Sequence, residues 1–258
     1  MKRLFLTLNI VLLVLLATAQ NAASTAKKPV TKTATTVKKS TTPTAKSPKS
    51  TKKPVTTVKS IKKMDTSTYV LITTDLGDIR IRLYDETPQH KANFIKLAKE
   101  GFFDSTLFHR IIPEFMIQGG DPNSKTAVPG QALGMGNVGY RVPAEFNKNL
   151  IHKRGVLAAA RDNNPAKASS GCQFYITQGK KYSRAELQLL ATRTGNSWTE
   201  EQLKIYEEVG GTPMLDMNYT VFGEVVSGLD VIDKIIVEPR DQNDRPYKDI
   251  RMKVKVVE

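Results

Sequence analysis

Short apolar runs, each bounded by glycine, proline or asparagine, recur along the chain between residues 69 and 257. Their lengths are typical of β-strands and are too short for most helices, which predicts a mainly β protein. Residues 79–83 alternate apolar with basic side chains, as expected for a strand with one buried face. The runs predicted as strands are residues 69–74, 79–84, 107–112, 115–118, 156–160, 174–177, 221–226 and 252–257.

Two further segments show the spacing of apolar residues that is typical of helices. Thr87 can cap a helix that has Pro88 at its first position and that ends at Gly101. Residues 229–236 form the second helical pattern. Many short strands with two helices favour a closed antiparallel β-barrel with a helix over each end, although this pattern alone does not separate a barrel from a sandwich.

A helical insertion is predicted near residues 182–211. Residues 183–186 and 199–202 each contain Ser or Thr followed three positions later by Glu or Gln, which is the capping box that begins a helix. An aromatic residue precedes each box and a leucine follows it, so the pattern also predicts a hydrophobic staple at each helix. The staple accounts for the single tryptophan, Trp198, without a role in ligand binding.

The charge is divided unevenly between two parts of the chain. Residues 1–63 contain no Asp or Glu and 14 of the 39 Lys and Arg residues, which leaves 25 basic and 25 acidic residues in the remainder. The net charge of +14 therefore belongs to the first 63 residues. The remainder is neutral, so a basic surface of the kind that binds nucleic acid is not expected on the folded domain.

The first residues have the pattern of a secretory signal. Lys2 and Arg3 precede an apolar run of about 14 residues, and Ala17 and Ala19 supply small residues for cleavage. A membrane-spanning helix needs about 20 apolar residues. We therefore predict a cleaved signal peptide over residues 1–19, with an uncleaved anchor as the alternative, and an exported protein that is periplasmic or secreted.

Residues 20–66 are dominated by Lys, Thr, Ala, Ser, Val and Pro. Few large apolar side chains are present to offset the entropy lost on ordering, which predicts a disordered, extended basic linker. It is either a plain spacer or a contact to an anionic envelope surface such as a membrane or a cell-wall polymer. Nucleic acid is the weakest candidate for an exported protein. The folded domain is predicted to cover residues 67–258.

No hydrolytic or metal-binding pattern stands out among the residues that carry chemistry. His90, His109 and His152 lack the spacing of metal ligands, and Cys172 is predicted to be a small buried thiol.

The unusual stretch is residues 108–121. If the strand bends at Pro113, Arg110 would face the same side as the ring of Phe115 and the amide of Gln118, which suggests a peptide site. The alternative is a surface arginine near core aromatic residues.

Residues 108–121, FHRIIPEFMIQGGD, closely resemble the signature of the cyclophilin family. Two more blocks support the resemblance, at residues 155–176 and 215–225, and the similarity extends from about residue 69 to residue 257, interrupted by the insertion. The resemblance implies a cyclophilin-like barrel and a peptidyl-prolyl cis–trans isomerase that acts on proline-containing polypeptides, as a monomer and without a cofactor or metal. A chaperone module that binds proline segments with weak or no turnover is the alternative.

The resemblance also implies roles for individual residues, with Arg110 as the catalytic residue. The substrate-binding residues that it implies are Phe115, Met116, Tyr175 and Leu215 for the proline pocket, Gln118 for the substrate backbone, Ala160, Arg161 and Gln173 for the adjoining groove, and Tyr219 beside the pocket. Arg161 stands where many members carry Asn, so its charge is expected to alter the groove. Tyr175 replaces a frequent Phe, and its hydroxyl needs a partner or water.

Overall fold

The structure is a computed structural model that describes residues 67–257, and the predicted signal peptide and basic linker lie outside these residues. The described residues form ten strands and four α-helices. The strands are β1 (Thr68–Thr74), β2 (Gly77–Leu83), β3 (Phe108–Ile112), β4 (Met116–Gly119), β5 (Arg141–Val142), β6 (Val156–Ala159), β7 (Ser169–Ser170), β8 (Phe174–Thr177), β9 (Val221–Ser227) and β10 (Lys253–Val257). The helices are α1 (Pro88–Lys99), α2 (Arg184–Thr194), α3 (Glu200–Glu208) and α4 (Leu229–Ile236). None of these helices has the length and apolar character needed to cross a bilayer.

Eight strands form one curled antiparallel sheet in the order β10-β1-β2-β9-β6-β8-β4-β3. Its two edge strands are β10 and β3, and residues that precede them, Leu107 and Arg251, form an isolated bridge between the two edges. Backbone hydrogen bonds beside this bridge join Phe108 N to Ile250 O at 3.0 Å and Met252 N to Thr106 O at 2.8 Å. The predicted mainly β, barrel-like fold is confirmed, and its edges are joined by these few bonds instead of a full ladder of paired strands. The small separate sheet of β5 and β7 was not predicted.

The inner face of the curled sheet holds the main apolar core. In β1 and β2, side chains alternate between buried and partly exposed positions, and Val70, Ile72, Ile79 and Ile81 are fully buried. Helices α1 and α4 pack their apolar faces into the same cluster. Burial of each large aliphatic side chain stabilises the fold by about 1.5–3 kcal/mol, which is why the alternating pattern determines which face of each strand points inward.

Helix α1 begins at Pro88, as predicted, but Thr87 does not cap it with its side chain. The φ and ψ angles of Thr87, −128° and 65°, are not those of an extended capping residue, and its hydroxyl is buried without a hydrogen-bond partner among the described residues. The carboxylate of Glu145 takes its place. It accepts hydrogen bonds from Gln89 N at 3.1 Å and from His90 N at 3.0 Å.

The predicted helical insertion is present as α2 and α3. Both capping boxes form, with Ser183 and Glu186 bonded reciprocally at the start of α2 and Thr199 and Gln202 at the start of α3. The residues predicted as hydrophobic staples join one apolar cluster that belongs to the insertion. This insertion cluster contains Ile151, Tyr182, Leu187, Trp198, Leu203, Ile205, Tyr206 and Met214.

Candidate active site

Four neighbouring strands place the predicted site on the outer face of the curled sheet. A row of directly paired residues crosses β3, β4, β8 and β6, and it consists of Arg110, Gln118, Tyr175 and Ala158. Successive side chains of a strand point to opposite faces, so the preceding or following residues face the core. These core-facing residues are fully buried, and they are Ile111, Ile117, Ile176 and Leu157.

A hairpin, and not a bent strand, brings Arg110 and Gln118 together. The sequence predicted a bend at Pro113, but the chain reverses there: Phe115 N donates to Ile112 O at 3.1 Å, and Glu114 has a φ of 60°. Strands β3 and β4 then pair antiparallel, with Arg110 opposite Gln118. The reversal places the guanidinium of Arg110 and the amide of Gln118 on one face. The sequence predicted this arrangement, but from a bent strand instead of a hairpin.

The guanidinium of Arg110 lies between an amide and a carboxylate. Its Nη1 atom is 3.5 Å from Gln118 Oε1, and its Nε atom is 3.9 Å from Asp244 Oδ2. The backbone oxygen of Asp244 also accepts from Ile111 N at 2.9 Å, which fixes the loop against β3. The side chain of Arg110 remains 41% exposed, so part of its fork of donors is available to a substrate. Nothing in the sequence pointed to Asp244.

A chain of side-chain amides fixes the orientation of Gln118. Gln173 donates from Nε2 to the carbonyl oxygens of Gly134 and Gly136, both at 2.8 Å, so its Oε1 atom is free to accept. That oxygen accepts from Gln118 Nε2 at 3.1 Å, which turns Gln118 Oε1 towards Arg110. Gln118 is thus oriented by hydrogen bonds that begin in a glycine-rich loop.

The same loop is held from its other side by Asp121. The Asp121 carboxylate accepts from Gly134 N at 2.5 Å and from Gly136 N at 3.3 Å. A Cβ atom at Gly136 would collide with this carboxylate, so the position requires glycine. The loop therefore forms a fixed wall of the site.

The residues predicted for the proline pocket lie together in a second apolar cluster on the outer face. Met116 and Tyr175 are buried, whereas Phe115 and Leu215 are partly buried and pack against them. Ala160 and Tyr219 belong to the same cluster, and the rings of Tyr175 and Tyr219 meet edge to face with centroids 5.9 Å apart. The cluster is separate from the core inside the barrel.

A groove of about 730 Å³ runs beside this pocket. The residues predicted to line it, Ala160, Arg161 and Gln173, do so together with Gln118. The groove also contains residues that the sequence did not single out, because they come from a loop and from the small second sheet. These residues include Met135, Asn137, Tyr140, Arg141 and Asp162.

Arg161 is held at the edge of the groove by the segment that carries Tyr219. Its Nε atom donates to Asn218 O and its Nη1 atom to Asp162 O, both at 2.9 Å. Its guanidinium lies over the Tyr219 ring, 4.6 Å from the centroid. The guanidinium of Arg161, whose charge was expected to alter the groove, therefore also stacks on the ring of Tyr219 and orients it.

The hydroxyl of Tyr175 has the partner that the sequence required. It lies 2.9 Å from His152 Nε2, and the other ring nitrogen of His152 lies 2.8 Å from Asp216 Oδ1. Burial raises the pKa of Tyr175 well above its ordinary value, and the neighbouring Tyr219 and Asp216 add to this effect. Tyr175 therefore keeps its proton. No pattern in the sequence indicated that His152 lies beside the pocket.

Residues 67–257 contain no group of three or more His, Cys, Asp or Glu side chains arranged to hold a metal ion. Cys172 is buried, as predicted, and burial raises the pKa of its thiol to about 11.

Comparison with protein families matches residues 69–256 to the family described as "Cyclophilin type peptidyl-prolyl cis-trans isomerase/CLD". A relative from Staphylococcus saprophyticus that is named a peptidyl-prolyl cis-trans isomerase is 34% identical over 191 residues, which cover 73% of this chain and 91% of that protein. A relative from Streptococcus pyogenes serotype M6, named a bifunctional phosphatase/peptidyl-prolyl cis-trans isomerase, is 40% identical over 190 residues. That match covers 72% of this chain and spans only 37% of the bifunctional protein.

Among solved structures, a cyclophilin-type peptidyl-prolyl cis-trans isomerase of Cryptosporidium parvum shares the fold, with a TM-score of 0.54 and 24% identity over 74% of this chain and 98% of that chain. A second crystal structure of the same protein, obtained in the presence of the dipeptide Ala-Pro, matches equally well. The strand order, the outer-face site and these similarities agree, and the chain belongs to the family of cyclophilin-type peptidyl-prolyl cis–trans isomerases, enzymes that accelerate rotation about X–Pro peptide bonds.

Proposed function

We propose that isomerisation takes place on the outer face of the sheet, with Arg110 as the catalytic residue. The observation that carries this proposal is the half-exposed guanidinium of Arg110, oriented by Gln118 and Asp244 on the row of residues that leads to Tyr175. The residues proposed to hold the proline ring are Phe115, Met116, Tyr175 and Leu215. The substrates are proline-containing polypeptides, including proteins that are folding after export.

The reaction has a barrier that charge placed at one atom can lower. Resonance gives the X–Pro amide partial double-bond character, and rotation costs about 18–20 kcal/mol. When the bond is twisted, resonance is lost and the prolyl nitrogen carries a lone pair. A hydrogen-bond donor aimed at this nitrogen stabilises the twisted state and gains little from the planar one.

Arg110 fits this requirement without a cycle of proton transfer. A guanidinium stays protonated at neutral pH, so it donates in every turnover. Its contacts to Gln118 and Asp244 involve Nη1 and Nε, so other N–H groups of the fork are left to meet the substrate. Each 1.4 kcal/mol of selective stabilisation accelerates rotation about tenfold.

The surrounding residues bind and orient the peptide. The apolar pocket fixes the proline ring while the carbonyl of the preceding residue rotates. Gln118 is proposed to bond the substrate backbone, and the groove with Ala160, Arg161 and Gln173 receives neighbouring residues of the peptide. Tyr219, stacked under Arg161, forms the border between pocket and groove.

Replacement of Arg110 by alanine tests this assignment. Loss of a donor aimed at the transition state lowers rates by about 100-fold or more, so kcat/KM for a prolyl peptide should fall by that factor in Arg110→Ala. Arg240→Ala is the matched control, because Arg240 also donates to Asp244, at 3.2 Å, but lies outside the outer-face row. Activity should be measured in a protease-free assay, beside circular dichroism. A folded Arg110→Ala protein with undiminished turnover would contradict the assignment.

The alternative of a proline-binding chaperone with little turnover is not favoured, because the family and the curated relatives are named isomerases. The same assay separates the two functions. If the wild-type protein binds prolyl peptides without accelerating their isomerisation, the proline-binding chaperone is favoured.

We further propose that the protein is exported, to the periplasm or to the medium, by a signal peptide over residues 1–19. The support is the charged start, the apolar run and the small residues at the cleavage position. The mass of the protein purified from its native source tests this proposal. A mass that includes residues 1–19 in a protein extracted only with detergent would indicate the uncleaved anchor.

Residues 20–66 are proposed to form a basic linker that tethers the domain to an anionic surface of the envelope. The absence of Asp and Glu up to residue 63 supports this, because such a segment attracts anionic polymers and is screened by salt. Deletion of residues 24–63 should lower the salt concentration at which the protein elutes from isolated envelopes. Unchanged fractionation and elution would reduce the segment to a spacer.

The folded domain is proposed to act as a monomer over residues 67–258, because adjacent strands of one sheet bring Arg110, Gln118 and Tyr175 together on one face. Light scattering at the concentration of the activity assay tests this. A dimer mass would contradict the monomer.

A further inference from the structure

The helical insertion contacts Asp216, the residue that follows the pocket residue Leu215. Trp198 donates from its indole nitrogen to Asp216 Oδ2 at 2.7 Å, and the hydroxyl of Tyr206 donates to the same oxygen at 2.6 Å. Asn196 adds a hydrogen bond to the backbone oxygen of Asp216 at 3.1 Å. One oxygen of the Asp216 carboxylate thus accepts hydrogen bonds from two side chains of the insertion, one of them in α3.

The other oxygen of Asp216 holds a histidine. Oδ1 lies 2.8 Å from both the backbone N and the ring Nδ1 of His152. A carboxylate can only accept, so Nδ1 carries the proton, and in the neutral imidazole Nε2 is the acceptor. The hydroxyl of Tyr175 lies 2.9 Å from this nitrogen and donates to it when the imidazole is neutral. The hydrogen bonds therefore run without interruption from the insertion to Tyr175.

The inner members of this chain of bonds are buried, whereas Trp198 at its outer end is partly exposed. His152 and Tyr206 are fully buried, and Asp216 is 5% and Tyr175 4% exposed. Burial, with the charge of Asp216, raises the pKa of Tyr206, so its hydroxyl stays protonated and continues to donate. Buried hydrogen bonds of this kind hold their members in one arrangement, since a member that lost its partner would remain unsolvated.

The backbone reinforces the same connection. The insertion ends at Gly211, which pairs with Lys153 and Lys180. The next residue, Thr212, donates to His152 O at 2.8 Å and begins the short turn that carries Leu215. The end of the insertion is thus held against the strand ends beside the pocket.

We propose that the helical insertion is a specificity-determining element of the isomerase, and that Asp216 is the positioning residue through which it orients Tyr175. This inference deepens the proposed function and rests on the role of Tyr175 in the proline pocket. The insertion fixes the angle of the Tyr175 ring, and with it the depth of the pocket into which the proline ring enters. Proline-containing peptides whose flanking residues press the ring deeper into the pocket depend most on this support.

A residue that shapes the pocket acts on binding and not on the twisted amide. It contacts the substrate to the same extent before and during rotation, so its loss raises KM and leaves kcat unchanged. Loss of Arg110 acts instead on the twisted state and lowers kcat. This split separates positioning of the pocket from catalysis by the guanidinium.

The test is a cycle of single and double variants of the full chain. Trp198→Phe removes the indole donor and keeps an aromatic ring, and Tyr206→Phe removes one hydroxyl without loss of packing atoms. Each should raise KM for a prolyl peptide by about threefold or more, because each removes a hydrogen bond from the buried chain of bonds that holds the Tyr175 ring. Tyr175→Phe itself removes the last hydrogen bond of the series. In this background Trp198→Phe or Tyr206→Phe should therefore cause no further change in KM.

Tyr182→Phe is the matched control. It removes a tyrosine hydroxyl from the insertion cluster, but that hydroxyl lies outside the chain of bonds to Asp216. A rise in KM with Tyr182→Phe equal to that with Tyr206→Phe, an effect that persists in the Tyr175→Phe background, or no change in KM with either insertion variant would each overturn the inference. Full activity of Arg110→Ala would overturn the proposed site instead, so the two failures are distinguishable.

Discussion

The three histidines occupy three different environments. His90 lies between Glu145, 2.6 Å from its Nδ1 atom, and Ser169, 2.9 Å from its Nε2 atom. His152 links Asp216 to Tyr175, whereas neither ring nitrogen of His109 has a hydrogen-bond partner among the described residues. His90 therefore anchors the start of a helix, His152 links Asp216 to the pocket, and His109 is a buried ring without a side-chain partner in the described part of the chain.

His109 should make the protein less stable in mild acid. Burial lowers its pKa from 6.5 to about 4, against the opposing effect of Asp121. Between these values the unfolded chain holds a proton that the folded protein does not, so the free energy of unfolding decreases as pH falls from about 6.5 towards 4. The leucine variant His109→Leu cannot bind this proton. Its stability relative to wild type should increase over the same interval, by up to about 3 kcal/mol.

Urea denaturation at several pH values between 4 and 7.5 measures this difference. The comparison with the variant cancels the other titrating groups, because they are common to both proteins. Parallel dependence of the two proteins on pH would show that His109 does not contribute.

At the scale of the helices, caps from residues near in sequence could be predicted, and a cap from a distant residue could not. The capping boxes of α2 and α3 join residues three apart, and both appear as predicted. The cap of α1 comes from Glu145, which is 55 residues away from His90. A sequence pattern reports contacts between near neighbours, so Thr87 was the residue that it could indicate, and Glu145 could not be found without the fold.

The two candidate caps of α1 should differ in their contribution to stability. Glu145→Ala removes the acceptor for two backbone N–H groups and for the His90 ring, and we expect a loss of about 2 kcal/mol or more. Thr87→Val replaces a buried hydroxyl that has no partner by a methyl group of similar size, so stability should stay equal or rise. Thermal unfolding of the two variants measures the difference. Equal destabilisation would contradict the assignment of Glu145 as the cap.

On the scale of the whole molecule, residues 67–257 form a curled, barrel-like sheet whose two edges are joined to each other. The strand order uses only β1 to β10, and the edges meet at Leu107 and Arg251. A protein that consists of residues 67–258 should therefore keep the melting temperature of the full chain, and its kcat/KM for a short peptide should agree within about twofold. Loss of cooperative unfolding in the shortened protein would place the domain boundary elsewhere.

The site was predictable where it follows from one contiguous motif or from a resemblance. Arg110, Phe115 and Gln118 lie within nine residues of each other in the printed sequence, and a hairpin suffices to bring them together. Asp244 and the bonds between His152, Asp216 and Trp198 depend on how distant segments pack. Their residue types are ordinary and their spacing has no period, so only the folded chain shows that they lie beside the predicted site residues.

The alternation of side chains in β4 and β8 has a consequence for how this protein can change. Residues 118 and 175 point to the outer face that carries the proposed site, and their neighbours 117 and 176 point to the core. A single layer of backbone therefore separates residues selected for substrate binding from residues selected for packing. Substrate preference can drift by point substitution on one side while the interior stays intact. A deletion of one residue in either strand would exchange the two faces, and folding and chemistry would be lost in the same event.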